Sequence, residues 1–291
     1  MSAGRFAPSP SGDLHVGNLR TALLAWLCAR SSGRDLLMRI DDLDRVRPGA
    51  EQRQLDDLAA LGLDWDGPVV RQSQRARYHD AALASLGGRG LLYECFCTRR
   101  EIQEAPSAPH APPGAYPGTC RDLTAAERDE RRRERPAALR LRADVTEFTV
   151  EDVLHGTVTG VVDDVVLRRG DGVVAYNLAT VVDDAQQGVD QVVRGDDLLS
   201  SAPRQAHLAT VLGVAPPTYV HVPLALNPAG ARLAKRDGPV TRAELAERGV
   251  DVLAMIADSL GLSGATPAEM LRGFDVTRIP REPWVVRPAG T

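Results

Sequence analysis

Lysine is almost absent from this chain of 291 residues: among its 35 basic residues only Lys235 is a lysine, and the others are arginines. An excess of basic charge is absent too, since the net charge is −4, so any nucleic-acid partner must be held by a local patch. No apolar run approaches the roughly 18 residues of a membrane span, and the first residues, MSAGRFAPSPSG, lack the apolar stretch of a signal peptide. We therefore expect a cytoplasmic protein.

The two commonest phosphate-binding loops, the Walker A motif and GxGxxG, are also missing. Cysteine is scarce, but three of the four cysteines, Cys95, Cys97 and Cys120, fall in one short window. This grouping is typical of a metal site rather than of a disulfide framework. The remaining one, Cys28, lies in an apolar helical pattern and is expected to be a core residue.

The first ninety residues alternate between strand and helix patterns. Residues 4–9 form a short extended run, residues 35–40 predict a buried strand, and residues 48–62 and 75–86 predict helices. Between the two strands, an apolar stripe recurs at helical spacing along Leu19, Ala22, Leu23, Trp26 and Leu27. Strand–helix alternation with short connections predicts an α/β fold with a doubly wound parallel sheet.

The pattern changes near residue 93, which indicates an insertion. Residues 105–118 hold five prolines and predict irregular structure. The arginine-rich residues 121–142 predict an exposed helix with i, i+4 ion pairs or, alternatively, an RNA-facing surface, and residues 139–168 alternate as strands. We expect four parts: a first half of the nucleotide-binding domain (1–92), a zinc-containing insertion (93–170), the second half (171–215), and a loop with a helical tail (216–291).

Residues 8–18, PSPSGDLHVGN, stand at a predicted strand-to-helix junction. A helix N-terminus presents free N–H groups to a phosphate, and His15 can donate a further hydrogen bond. Gly17 would let an adenine ring approach the backbone. The alternative is that His15 only caps the helix and Gly17 only loosens its first turn.

Residues 232–238, RLAKRDG, form a polar loop that ends in glycine and contains the lone lysine. Two cations on such a loop, Lys235 and Arg236, can close over a triphosphate and stabilise the charge that develops on departing pyrophosphate. The alternative is an ordinary solvated loop.

Together these two elements resemble the HIGH and KMSKS sequences of class I aminoacyl-tRNA synthetases. Five further segments resemble the glutamyl branch of that family: residues 5–12, 39–44, 61–67, 176–184 and 193–197. Only about 55 residues follow Arg236, which is too few for the anticodon-binding region of a full glutamyl-tRNA synthetase. The chain thus most resembles the truncated paralogues, the glutamyl-Q tRNA(Asp) synthetases.

The resemblance implies a Rossmann-type class I domain with a zinc-bearing insertion and a short helical C-terminal region. It implies activation of L-glutamate by ATP with Mg²⁺, without tRNA, and transfer of glutamate to queuosine in the anticodon of tRNA(Asp). Its ATP-binding residues would be His15, Gly17, Asn18, Lys235 and Arg236. Two alternatives stay open, a tRNA-dependent glutamyl-tRNA ligase and a non-catalytic zinc- and RNA-binding paralogue. We expect the protein to be a monomer.

The resemblance also assigns the amino-acid and metal sites. Glutamate would be bound by Arg5, Ala7, Ser9, Asp41, Tyr176 and Arg194. The arginines would face its side-chain carboxylate and Asp41 its ammonium group, a pairing that suits the charges. Structural zinc would be bound by Cys95, Cys97, Cys120 and Tyr116, although ligand chemistry alone favours His110 as the fourth ligand.

This sequence departs from the family's motifs at four positions. Asn18 replaces the second histidine of HIGH, and Ala234 and Arg236 replace two serines of KMSKS. Asp41 is one methylene shorter than the glutamate that is common there, which would weaken its contact with the amino group.

Overall fold

The computed structural model describes residues 2–104, 115–233 and 240–287. Its strands are β1 (Ala3–Phe6), β2 (Asp35–Ile40), β3 (Val70–Arg71), β4 (Leu92–Cys95), β5 (Ala138–Leu141), β6 (Glu147–Asp152), β7 (Gly156–Val161), β8 (Val166–Arg168), β9 (Val189–Gly195), β10 (Thr218–Val222), β11 (Ala225–Leu226) and β12 (Trp284–Val285). Its α-helices are α1 (Val16–Ser31), α2 (Ala50–Ala60), α3 (Ala76–Gly88), α4 (Arg99–Glu104), α5 (Ala125–Glu134), α6 (Tyr176–Gln186), α7 (Ala202–Val211), α8 (Arg242–Ala246), α9 (Val252–Leu260) and α10 (Pro267–Leu271).

The central sheet has seven strands in the order β3-β2-β1-β9-β10-β6-β7. Its first six strands are parallel, and β7 pairs antiparallel with β6 at one edge. The chain proceeds from β1 towards β2 and β3 on one side, while β9 and β10 lie on the other. A parallel sheet of this kind binds ligands outside the carboxyl ends of its strands, where the order reverses. The predicted doubly wound α/β fold is confirmed.

Helix α1 forms the centre of the largest hydrophobic core. The predicted stripe, including Leu19, Leu23 and Leu27, is fully buried, and the helix packs against β1, β2 and β9. The later helices α9 and α10 add Ile256 and Met270 to the same core, so the predicted helical tail folds back onto the sheet domain. Among the described residues no helix has the length and hydropathy needed to cross a bilayer.

One predicted strand is recovered with unchanged ends, whereas one predicted helix is shortened. The predicted strand 35–40 is β2, whereas the arginine-rich helix is shorter than predicted because Pro136 cannot continue it. This helix, α5, buries none of its residues and carries as many acids as arginines, so it is exposed, as both the solvated helix and the RNA-facing surface require.

The strands of the inserted region separate into two groups. β4, β5 and β8 form a small antiparallel sheet, whereas β6 and β7 extend the central sheet through β10. The central sheet thus takes strands from within 93–170 and from beyond 215. The four-part division of the chain stays a prediction, and the central sheet takes strands from all four of its parts.

Candidate active site

A cleft of about 540 Å³ opens at the carboxyl ends of β1 and β9. This volume lies within the range of roughly 300–1,000 Å³ that is usual for small-molecule sites. The cleft brings together most of the predicted site residues: Ala7, Ser9, His15, Gly17, Asn18, Asp41, Tyr176 and Arg194. These residues come from four separate parts of the sequence and meet because the strand ends share one edge of the sheet.

Three predicted residues are not among those that line this cleft. Arg5 is buried beside it, where its Nε lies 3.5 Å from the Asp184 carboxylate and its Nη1 donates to the backbone oxygen of Val193 at 3.3 Å. Lys235 and Arg236 lie outside the described residues.

The described residues that precede and follow Lys235 in the sequence both lie near the cleft. Leu233 lines the cleft, and the backbone oxygen of Val240 accepts a hydrogen bond of 2.8 Å from the backbone N–H of Val16, at the start of α1. Thr241 also forms an isolated antiparallel bridge with His15. The described residues on either side of 234–239 therefore lie beside the predicted phosphate-binding residues.

His15 caps the N-terminus of α1 through a reciprocal pair of hydrogen bonds with Asn18. The backbone N–H of Asn18 donates to His15 Nδ1 at 3.2 Å, and the backbone N–H of His15 donates to Asn18 Oδ1 at 3.2 Å. Burial, aided by the nearby Arg232 cation, lowers the pKa of His15. A neutral imidazole that accepts at Nδ1 carries its proton on Nε2, which is then a donor for a ligand in the cleft. The capping alternative is present, and a contact with phosphate stays a prediction.

Close packing requires glycine at position 17, which the sequence did not indicate. A Cβ at this position would lie 2.7 Å from the Cβ of Ala225, so only glycine permits the close approach of β11 to α1. The predicted approach of adenine remains untested, but Gly17 does line the cleft.

Arg194, at the end of β9, is a buried cation whose hydrogen bonds go to neutral groups. Its Nε donates to His221 Nε2 at 2.9 Å and its Nη1 donates to Gln205 Oε1 at 2.7 Å. Burial lowers the pKa of Arg194. A buried charge is costly without a counter-charge, and a guanidinium pairs best with a carboxylate. Arg194 is therefore suited to hold the carboxylate of a ligand.

Asp41, which also lines the cleft, supplies the opposite charge. Its carboxylate accepts from Nε of Arg39 at 2.8 Å, and the Arg39 guanidinium is in turn shared with Asp184. Burial raises the pKa of Asp41, while Arg39 opposes the shift. Asp41 thus belongs to an ion pair and also lines the cleft, where its carboxylate can accept from an ammonium group.

The three clustered cysteines meet with Tyr116 at one point of the inserted region. Their Sγ atoms lie within 4.8 Å of one another, with 3.5 Å between those of Cys97 and Cys120. The Tyr116 hydroxyl lies 3.4 Å from Cys95 Sγ and 3.9 Å from Cys97 Sγ. A tetrahedral zinc ion with Zn–S bonds of about 2.3 Å separates its sulfurs by about 3.8 Å, so this donor set fits zinc.

The surroundings of this cluster favour the anionic form at Cys95 only, since burial and the neighbouring Cys95 raise the pKa of Cys97. Burial opposes ionisation of Cys95, but the hydrogen bond between Cys95 and Tyr116 and the charge of Arg140 prevail and lower the pKa of this thiol. The Arg140 guanidinium also lies 3.5 Å from the centre of the Tyr116 ring. His110 lies outside the described residues, so the choice between Tyr116 and His110 stays open.

Removal of one cluster cysteine should abolish stoichiometric zinc binding. We expect Cys120→Ser to lose zinc and to lower the melting temperature, because a metal that binds only the folded chain stabilises it. Cys28→Ser is the matched control, since Cys28 is buried in the core of α1 and should retain zinc. The measurements are metal content by elemental analysis and thermal melting with and without a chelator. Equal zinc content in both variants would contradict the assignment.

A second cavity of about 820 Å³ adjoins the cleft. The two share Ser9, Asp41, Arg45 and Tyr176. Its lining includes more arginines than acids, namely Arg45, Arg99, Arg140, Arg169 and Arg204 against Asp41, Asp44 and Asp163. Sequence reasoning missed this cavity, because its arginines are spread over more than a hundred residues and carry no motif.

The cysteine cluster supports one wall of this second cavity. The Tyr116 backbone N–H donates to Asp163 at 3.0 Å, and Asp163 pairs with Arg204 at 3.0 Å. Arg140 packs on the ring of Tyr116 and lines the same cavity. A metal bound by Tyr116 and the cysteines would thus fix the position of cavity residues, which is a structural role.

Comparison with known proteins agrees with this geometry. A family model described as the catalytic domain of class I tRNA synthetases (E and Q) matches residues 3–281. A protein of Nocardia farcinica named glutamyl-Q tRNA(Asp) synthetase is 66% identical over 99% of this chain and 94% of its own length. Its namesake in Cutibacterium acnes is 52% identical over 95% of this chain and 81% of its own length.

Two solved structures share the fold. A glutamate tRNA ligase of Elizabethkingia meningosepticum, in complex with its amino acid, is 28% identical with a TM-score of 0.80. The glutamate-tRNA synthetase of Elizabethkingia anophelis is 27% identical with a TM-score of 0.83. The matches cover 97% and 99% of this chain but only 66% and 68% of those chains. The chain therefore belongs to the class I (E and Q) tRNA synthetase family of ligases and, within it, to the glutamyl-Q tRNA(Asp) synthetases.

Proposed function

We propose that this protein activates L-glutamate with MgATP in the absence of tRNA and transfers the glutamyl group to queuosine in the anticodon of tRNA(Asp). The observation that carries the proposal is the charge pattern of the cleft. It combines a helix N-terminus with the neutral donor His15, a buried Arg194 and the carboxylate of Asp41. The names of the curated relatives support the same activity. We expect the reaction to take place in the cytoplasm, because ATP and tRNA are present there.

Glutamate fits this pattern because it carries two carboxylates and one ammonium group. Arg194 holds the side-chain carboxylate, with Arg5 beside it, and Asp41 accepts from the ammonium group. Ala7, Ser9 and Tyr176 complete the walls. The α-carboxylate is then left without a cation and points to the remaining part of the cleft, where α1 begins.

The first step is in-line attack of an α-carboxylate oxygen on the α-phosphorus of ATP. The new P–O bond gives glutamyl-adenylate, and the bond to the β-phosphate breaks to release pyrophosphate with its magnesium. His15 and Asn18 at the start of α1, with Gly17 beside them, hold the nucleotide. Lys235 and Arg236 neutralise the leaving pyrophosphate. The enzyme contributes positioning and charge stabilisation rather than a covalent intermediate with its own side chains.

The second step transfers the glutamyl group to the acceptor nucleoside. A hydroxyl oxygen of queuosine attacks the activated carbonyl carbon, an ester bond forms, AMP leaves and the hydroxyl proton passes to solvent. The second cavity is the place for this acceptor, because it opens into the cleft at Asp41 and Tyr176 and its arginines suit a phosphate backbone. Zinc on Cys95, Cys97, Cys120 and Tyr116 would stabilise the wall of that cavity.

Replacement of one cavity arginine should weaken transfer but not activation. Arg99 is exposed and, of the two cavities, lines only the second. We expect Arg99→Ala to lower kcat/KM for tRNA by about 5-fold. The slope of log affinity for tRNA against log salt concentration should fall by about one. Pyrophosphate exchange should not change. The adjacent Arg100→Ala is the matched control, as Arg100 is exposed but lines neither cavity. An equal loss in both variants would contradict this place for the RNA.

The acceptor is identified by transfer of radiolabelled glutamate in the presence of ATP. Three RNAs are compared: tRNA(Asp) that contains queuosine, tRNA(Asp) that lacks it, and tRNA(Glu). We expect labelling of the first RNA alone, with loss of the label in mild base, as for an ester. Labelling of tRNA(Glu) would instead identify a tRNA-dependent ligase, and no labelling of any RNA would favour the non-catalytic alternative.

A further inference from the structure

Behind Arg194 lies a buried chain of polar groups that the proposed reaction does not itself use. His221, on β10, is fully buried, and its Nε2 accepts from Arg194 Nε at 2.9 Å. On the other side of the ring, His221 Nδ1 lies 2.7 Å from a carboxylate oxygen of Asp152, at the end of β6. Two hydrogen bonds thus connect Asp152 through His221 to Arg194, which lines the cleft.

The chemistry of a guanidinium fixes the protonation of this chain. Arginine can only donate, so His221 Nε2 must be the unprotonated nitrogen. The proton of the neutral ring is therefore on Nδ1, where it is donated to Asp152. Burial and the Arg194 cation both lower the pKa of His221, which agrees with a neutral ring.

Asp152 is a rigid end point for this chain. Its oxygens accept from the backbone N–H groups of Leu154, His155 and His221 at 2.8–3.0 Å, in addition to the His221 ring. These bonds keep its pKa low although burial alone would raise it. A carboxylate held by four donors has little freedom to rotate, so the His221 ring it orients has little freedom either.

We propose that His221 and Asp152 are positioning residues that aim the guanidinium of Arg194 at the side-chain carboxylate of the amino-acid substrate. Arg194 Nε donates to His221, Nη1 donates one hydrogen to Gln205 at 2.7 Å, and Nη2 donates one to the backbone oxygen of Leu198 at 3.4 Å. The second hydrogen of each Nη nitrogen is left for that carboxylate. This inference rests on the proposed binding of glutamate by Arg194.

The test compares three variants in glutamate-dependent pyrophosphate exchange. We expect His221→Leu to raise the KM for glutamate by about 10-fold or more, because one hydrogen bond to a charged group is lost. The kcat and the KM for ATP should stay within about 3-fold of the wild type, since the interaction acts on bound amino acid. His221→Gln offers an acceptor to Arg194 and should recover most of the loss.

The control is His155→Gln. His155 Nε2 donates to the backbone oxygen of His221 at 3.1 Å, and no hydrogen bond joins His155 to Arg194, so the KM of this variant for glutamate should match that of the wild type. A His221→Leu variant that behaves like this control would overturn the inference. So would equal increases in both KM values, or a failure of His221→Gln to recover activity, because each points to general distortion.

The tautomer is measured without reference to activity. In ¹⁵N-histidine-labelled protein near neutral pH, the His221 signals, assigned by their loss in His221→Gln, should show a proton on Nδ1 and none on Nε2. A proton on Nε2 would overturn the inference even in an active enzyme. Absence of exchange in the wild type, with the expected tautomer present, would instead count against the proposed function.

Discussion

Arg194→Leu is expected to lower kcat/KM for glutamate in pyrophosphate exchange by about 100-fold or more, since loss of one partner of a buried charge pair costs 2–5 kcal/mol. The loss should fall mainly on KM, because the pairing with the substrate carboxylate exists before and during the reaction. Arg194→Lys keeps a positive charge but lacks the planar fork, and we expect it to recover only a small part of the loss.

Arg34→Leu is the matched control for this prediction. Arg34 pairs with Asp190 at 2.8 Å at the opposite, amino-terminal edge of the sheet, so its loss should leave the KM for glutamate unchanged. Melting temperatures of the three variants show whether each is folded. A folded Arg194→Leu variant with a wild-type KM for glutamate would remove Arg194 from the amino-acid site.

Lys235→Ala is expected to lower the rate of glutamate activation by at least 10-fold, which corresponds to about 1.4 kcal/mol of transition-state stabilisation. The reason is that its ammonium group would neutralise charge that develops only as pyrophosphate leaves, so kcat should fall more than KM changes. Single-turnover formation of glutamyl-adenylate measures this step directly.

Two further variants show whether the lower activation rate comes from the loss of Lys235 itself or from the loss of any positive charge. Lys235→Arg retains the positive charge, and Arg248→Ala removes an exposed charge that lines neither cavity. We expect partial activity for the first and full activity for the second. An unchanged rate in Lys235→Ala would exclude this residue from the mechanism.

The part of the site that could be predicted from sequence lies at the ends of strands. Asp41 and Arg194 each follow an apolar run, and the carboxyl ends of parallel strands meet, so their proximity follows from the strand pattern. His15 was found because it stands where a strand gives way to a helix. Local patterns were sufficient for these residues.

The residues that sequence reasoning missed depend on pairings that are distant in the chain. Asp152 and His221 are 69 residues apart and meet only because β6 pairs with β10, a neighbour relation that no local periodicity encodes. The same pairing moved β6 and β7 from the predicted insertion into the central sheet. Arg5, in β1, is buried beside Asp184 and is not among the residues that line the cleft, and its part in binding glutamate stays a prediction.

The proposed function requires first that this chain activates glutamate without tRNA. Glutamate-dependent exchange of radiolabelled pyrophosphate into ATP, measured on purified protein without tRNA and with aspartate and glutamine as controls, tests it directly. We predict exchange with glutamate alone. Absence of exchange with glutamate in protein supplied with zinc and magnesium, or exchange that appears only after tRNA is added, would contradict the account.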